Sequence, residues 1–238
     1  MLRPALETVQ MSVDHDLIIA GVERMIIDSK TLSSREAYSL LVSTVVPRPI
    51  AFITSMNASG TVNAAPYSFF NAVASSPPLI IFSAGRKDGS MKHTAENILR
   101  SKEFAINIVT EQMLDAMNIS SADLPSEISA IEQSNLTPAP SVGIKTPRIA
   151  ESTVSFECAL YRHFELGNEP VDLIVGEILH FHVKDELYSA GTIDHKNLKP
   201  IARMGGKYYA TIENFFEMEK NPFNTKRRGN AGGSEGSR

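Results

Sequence analysis

Ala37, Leu40 and Leu41 repeat at three- and four-residue spacing directly behind Ser33-Ser34-Arg35-Glu36. That opening is a capping box, with the Ser33 hydroxyl placed to accept a helix N–H and Glu36 placed to reach back, so a short helix is predicted up to about Ser43. Pro47 and Pro49 stop it. From Pro49 the texture becomes strand-like: 50–54, a turn at Asn57-Ala58-Ser59-Gly60, 61–65, and 79–83 behind Pro77-Pro78. A helix is predicted over about 90–101, with Ala95, Ile98 and Leu99 on one face, leading into a strand over 104–109. Short helices follow over 111–134, then a loop over 138–147, two long strands over 154–164 and 173–183, and a last strand over 208–212 after Gly205-Gly206. Strands outnumber helices without regular βα alternation. The fold class expected is mainly β, a closed or nearly closed antiparallel barrel with peripheral helices.

Composition narrows the function classes. The 238 residues carry 42% hydrophobic and 21% charged residues, an ordinary soluble globular balance that argues against disorder or a coiled coil. A net charge of -4 leaves no global basic field for nucleic acid or an anionic membrane, and no stretch approaches the roughly 20 apolar residues of a membrane helix. The single cysteine, Cys158, cannot form an internal disulfide, which suits a reducing, cytoplasmic compartment. With neither repeat nor linker visible, three regions are expected: an N-terminal extension (1–30), one barrel domain (31–223) and a Gly/Ser-rich disordered tail (224–238). The extension carries the apolar runs Leu17-Ile18-Ile19-Ala20 and Met25-Ile26-Ile27, which a partner subunit or the barrel itself has to cover.

Between Arg48 and Arg86 lie 37 consecutive residues with no Asp, Glu, Lys, Arg or His. The stretch is nevertheless rich in hydroxyls and amides, among them Thr54, Ser55, Asn63, Ser68, Asn71 and Ser83. Turns and half-exposed strands account for such a pattern, and so does a neutral pocket for a flat polar ligand bounded by the cations Arg48, Arg86, Lys87 and Lys92. Lys92 and Thr94 fall in the first turn of the predicted 90–101 helix, where free N–H groups and the helix dipole favour an anion such as phosphate.

Val46-Pro47-Arg48-Pro49-Ile50-Ala51-Phe52-Ile53-Thr54-Ser55, then Gly60, Asn63 and Ala65 through Asn71, Pro77-Pro78, Lys92 and Thr94, Asn97-Ile98, Glu103-Phe104 and Arg203 with Gly205-Gly206 resemble, in order and spacing, the flavin reductase-like FMN-binding split-barrel family. The resemblance covers about residues 25–217. It implies a homodimer of Greek-key split barrels, each holding one non-covalent FMN. It also implies NADH or NADPH as co-substrate and hydride transfer from nicotinamide to flavin, with no catalytic side chain required. A downstream acceptor of reduced flavin, such as a monooxygenase, is the implied partner. By similarity, Arg48, Ile50, Thr54 and Ser55, with Lys92 and Thr94, hold the phosphate and ribityl chain. Tyr67, Ser68, Phe69, Asn71 and Ser83 line the isoalloxazine ring. Two positions depart from the family pattern: His93 stands where an acid is usual, and Arg203 where many members have histidine.

Two other readings remain. An FMN-binding electron carrier without pyridine-nucleotide activity fits the same motifs. From a different class, His180 and His182 share one face of a strand, as in a cupin-like metal-binding barrel, although Glu177 lies at odd offset and faces away on a regular strand.

Overall fold

The computed structural model describes residues 24–122 and 125–218. Most of the N-terminal extension, including the 17–20 run, and all of the 224–238 tail lie outside them. The capping box forms: the Ser33 hydroxyl accepts the Glu36 N–H at 3.3 Å and the Glu36 carboxylate accepts the Ser33 N–H at 2.9 Å, starting α1 (Ser34–Thr44).

After the two-residue β1 (Arg48–Pro49) come β2 (Ala51–Met56), β3 (Val62–Tyr67), β4 (Phe70–Ser75) and β5 (Pro78–Gly85). Then follow α2 (His93–Ser101), β6 (Glu103–Ile108), α3 (Leu114–Ser120) and α4 (Ala130–Gln133). The short pair β7 (Pro138–Ala139) and β8 (Arg148–Ile149) brackets the expected loop and precedes the long strands β9 (Val154–Leu166) and β10 (Val171–Val183). A further two-residue ladder, β11 (Tyr188–Ser189) with β12 (Thr192–Ile193), and a turn of helix, α5 (His195–Leu198), lead to β13 (Ile201–Arg203) and β14 (Tyr209–Thr211), which form a small sheet with β1.

The main sheet runs β3-β2-β6-β9-β10-β5-β4 with every neighbouring pair antiparallel. Its edge strands β3 and β4 do not pair with each other. Instead the Tyr67 ring at the end of β3 packs 5.0 Å from Phe82 of β5, so the ends of the sheet meet through side chains and the barrel stays open along one seam. Strand β4 was not among the expected elements; nearly all of it is exposed at the sheet edge, so no core-facing alternation marks it.

One core fills the barrel (Ile53, Phe82, Phe104, Ile106, Ile174) under Ala95 and Ile98 of α2. A second (Phe52, Ala64, Met113, Met117, Ile131) sits between β2–β3 and the short helices. Strand β2 is therefore buried on both faces, which is why no charge interrupts it. A bulge in β9 leaves Tyr161 unpaired opposite Val175 and Gly176 of β10, and the Phe104 ring comes so close to Gly176 that a Cβ there would lie 2.5 Å from it.

Helix α2 begins at His93 rather than near Ser90, because the residues before it close a hairpin. Lys87 and Ser90 exchange backbone hydrogen bonds of 3.0 and 2.8 Å across Asp88 and Gly89, both at positive φ. Asp-Gly is the pair that favours this tight turn. No helix among the described residues is long and apolar enough to cross a membrane.

Candidate functional site

Three clefts adjoin one another along the open seam, with volumes of about 510, 450 and 970 Å³. All three are lined by Pro66 of β3; Tyr67 is shared by the first and third, and Tyr38 and Ser68 by the second and third. The three clefts are thus neighbours along the seam and meet at the end of β3 and the segment after it, beside the hairpin that follows β5.

In the first cleft Lys87, Lys92 and His93, together with the acidic Asp88, surround the start of α2. Lys92 is the N-cap, among the described residues no side chain caps that end, and Lys92, His93 and Thr94 line the cleft. Thr94 is buried beneath; its hydroxyl accepts from the Asn63 amide at 2.8 Å and is hydrogen-bonded with Tyr67. Burial pushes the Tyr67 phenol up to about 12 against the opposing Thr94 bond, with the Asp172 charge adding to the rise, so it stays neutral at physiological pH. A neutral hydrogen-bonding floor under a cationic helix start suits a phosphate on a polyol chain. Asn63 belongs to this site although the resemblance assigned it no role; its place in the Gly60-x-x-Asn63 motif was the available signal.

The third and largest cleft is lined by Tyr67, Ser68, Phe69 and Ser83, which the sequence grouped around a flat ring. The Ser83 N–H donates to the Phe69 carbonyl at 2.9 Å, tying β5 to the segment after β3. Arg86 flanks this cleft and is fixed from behind: it donates to both oxygens of buried Asp172 (3.0 and 2.8 Å) and pairs with Glu165 at 3.0 Å. His163 Nε2 is 2.9 Å from the same carboxylate. Burial pushes the Asp172 carboxyl up, but Arg86 and His163 outweigh it and hold it below the usual range. This anchor sits immediately before the 87–90 hairpin.

Several expected site residues are placed elsewhere. Thr54 and Ser55 are fully inaccessible: the Thr54 hydroxyl donates to the Pro147 carbonyl at 2.6 Å, and the Ser55 hydroxyl accepts from Asn97 at 3.2 Å. The doubly buried β2 turns these hydroxyls into internal fasteners, and neither residue lines any of the three clefts. Arg48 and Ile50, both buried, line the second cleft, not the one holding Lys92 and Thr94. The Arg48 guanidinium donates to the carbonyls of Val42 (2.7 Å), Val45 (2.8 Å) and Met204 (3.0 Å) and to the Ser68 hydroxyl (3.3 Å). It therefore caps the end of α1 and frames Ser68 rather than offering itself to a phosphate. Asn71 is exposed on edge strand β4, its side-chain oxygen accepting from the Ala72 N–H at 2.8 Å, and it lines none of the three clefts.

His180 and His182 both turn to the buried Glu157 of β9, at 3.4 and 2.6 Å. Among the described residues no group of three His, Cys, Asp or Glu side chains is arranged to hold a metal. Cys158 is buried in the barrel core, and burial pushes its thiol up and out of reactive range.

Residues 42–209 match the flavin reductase-like domain. An uncharacterized protein of Halalkalibacterium halodurans is 40% identical over 201 residues, covering 82% of this chain and 96% of its own. The crystal structure of nitrilotriacetate monooxygenase component B from Bacillus cereus superposes with a TM-score of 0.81 at 39% identity, covering 83% of this chain and all of that one. The 2-nitrobenzoate 2-nitroreductase NbaA of Pseudomonas fluorescens superposes at 0.76 with 30% identity, covering 83% and 97%.

Proposed function

The chain belongs to the flavin reductase-like family of flavin-related oxidoreductases, and on that premise we propose that it is a cytoplasmic, homodimeric NAD(P)H:FMN oxidoreductase. The observation that supports this reading is the row of adjoining clefts, with Lys87 and Lys92 beside Asp88 at the α2 end and the uncharged Tyr67, Ser68, Phe69 and Ser83 together in the third. Lys92, Thr94 and Asn63, with the uncapped N–H groups of α2, would hold the phosphate end of FMN. The segment from Pro66 to Phe69, with Ser83, would hold the ring. Bound FMN supplies the hydride-accepting ring, so the protein's task is to stack and orient the partners, and no acid or base is assigned. The Bacillus cereus relative is named as one component of a monooxygenase, which supports a partner enzyme as consumer of the reduced flavin.

FMN is expected to bind about tenfold or more tighter than riboflavin, because charge-assisted contacts reward the phosphate, and Lys92→Ala should erase most of that margin. Calorimetric titration of both ligands into both proteins measures it; equal affinity of the unaltered protein for the two flavins would remove the phosphate from the α2 end. Anaerobic addition of NADH or NADPH to the FMN-loaded protein should bleach the flavin absorbance. A carrier with another electron source would keep its colour.

The dimer is supported by apolar surface that the chain does not cover. Met25 and Ile26 are 69% and 49% exposed while Ile27 is half-buried, and Phe164, Leu179 and Phe181 are exposed along β9 and β10. Light scattering of the FMN-loaded protein should return twice the chain mass, and a monomeric mass rejects the homodimer.

A further inference from the structure

The second cleft, about 450 Å³, has a lining that the flavin reading leaves unused. Three of its residues are cations, Arg48, Arg203 and Lys207, and among the described residues that line it none is Asp or Glu, in a chain whose net charge is -4. Arg48 is committed to backbone carbonyls, but its charge remains and among the described residues no carboxylate is bonded to it. Arg203 is held ready: its guanidinium lies 4.4 Å over the Tyr209 ring and donates to the Gly206 carbonyl at 2.6 Å, while Lys207 stands exposed beside it. The tyrosines 38 and 209 offer aromatic surface, and Pro66, Ser68 and Tyr38 connect this cleft with the proposed flavin ring site. A ligand seated here therefore abuts the flavin and carries its negative charge toward Arg203 and Lys207.

A ribose diol is read by a carboxylate that accepts from its hydroxyls, whereas a phosphate monoester is read by arginine and lysine. A cleft with three cations and no carboxylate among its described lining residues matches the second chemistry. Resting on the flavin oxidoreductase reading, we propose that this cleft binds the adenosine end of the electron donor and that Arg203 and Lys207 read its 2′-phosphate, selecting NADPH over NADH.

The test uses the FMN-loaded protein, titrated calorimetrically with 2′,5′-ADP and with 5′-AMP, alongside anaerobic flavin reduction by NADPH and NADH. The 2′-phosphate compound is expected to bind at least about tenfold tighter, and NADPH to be preferred by a similar factor in kcat/KM. Lys207→Gln, an exposed change that leaves folding alone, should cut both preferences severalfold, and Arg203→Gln should cut them further, while FMN affinity stays unchanged. Equal binding of the two adenosine phosphates, or preferences insensitive to both substitutions, overturns the proposal. Failure of the underlying reading looks different: the protein then does not take up FMN, or neither nucleotide reduces it, and the calorimetric comparison of 2′,5′-ADP with 5′-AMP still decides the anion site.

Discussion

Replacing Asp172 with alanine is expected to destabilise the protein by about 3–5 kcal/mol, the range for breaking a buried ion pair and stranding its partners. The carboxylate is fully buried and satisfies two donors of Arg86 and the ring of His163. Removing it leaves Arg86 with only the exposed Glu165 carboxylate, over a cavity inside the β5–β10 ladder, where Asp172 stands opposite Ala84. The consequence reaches function, because Arg86 immediately precedes the Asp88-Gly89 hairpin that delivers Lys92 to the first cleft. Chemical denaturation at neutral pH measures the stability loss. The double variant Arg86→Met with Asp172→Leu should recover part of it, since an apolar pair of similar size carries no stranded charge. A loss below about 1 kcal/mol in Asp172→Ala would mean that the pair is no better than a surface salt bridge.

Glu157→Ala should cost about 3 kcal/mol, because two backbone N–H groups and a histidine lose their acceptor together. The buried carboxylate takes the Val142 and Gly143 N–H groups at 2.7 Å each and His182 at 2.6 Å, pinning the 140–147 loop to the sheet. Burial pushes this carboxyl up, yet the two N–H groups and His182 prevail and hold it below the usual range. A carboxyl lowered by folding stabilises the protein fully above its unfolded value of about 4.3, and the contribution disappears as pH falls through the lower folded value. The melting temperature of the unaltered protein should therefore drop on acidification below about pH 4.3 more steeply than that of Glu157→Gln, whose amide cannot titrate. Parallel melting curves for the two proteins across that window would show that Glu157 does not contribute to acid stability.

The amino-acid sequence by itself determined the elements whose signals are local. The capping box at Ser33 and Glu36, the turn at Asn57–Gly60, the Ala95 and Ile98 face of α2 and the long strands β9 and β10 appear where spacing and turn chemistry put them. The in-order motifs likewise identified the family. Only the tertiary structure decided which polar groups line a cleft and which are spent on internal hydrogen bonds. Thr54 and Ser55 look like ligand contacts in a chain read one strand at a time. They lie in β2, which the barrel core covers on one face and α3 and α4 on the other, so their hydroxyls bond inward to Pro147 and Asn97. Arg48 reads as a phosphate cation until the end of α1 folds back on it and takes its hydrogen bonds. Conversely, Arg203 and Lys207 lie some 150 residues from Arg48 in sequence and share a cleft with it only because β1 pairs with β13, with Arg48 opposite Arg203. Burial on the second face of a strand, and contact between residues far apart in the chain, are set by packing, and no local periodicity encodes either.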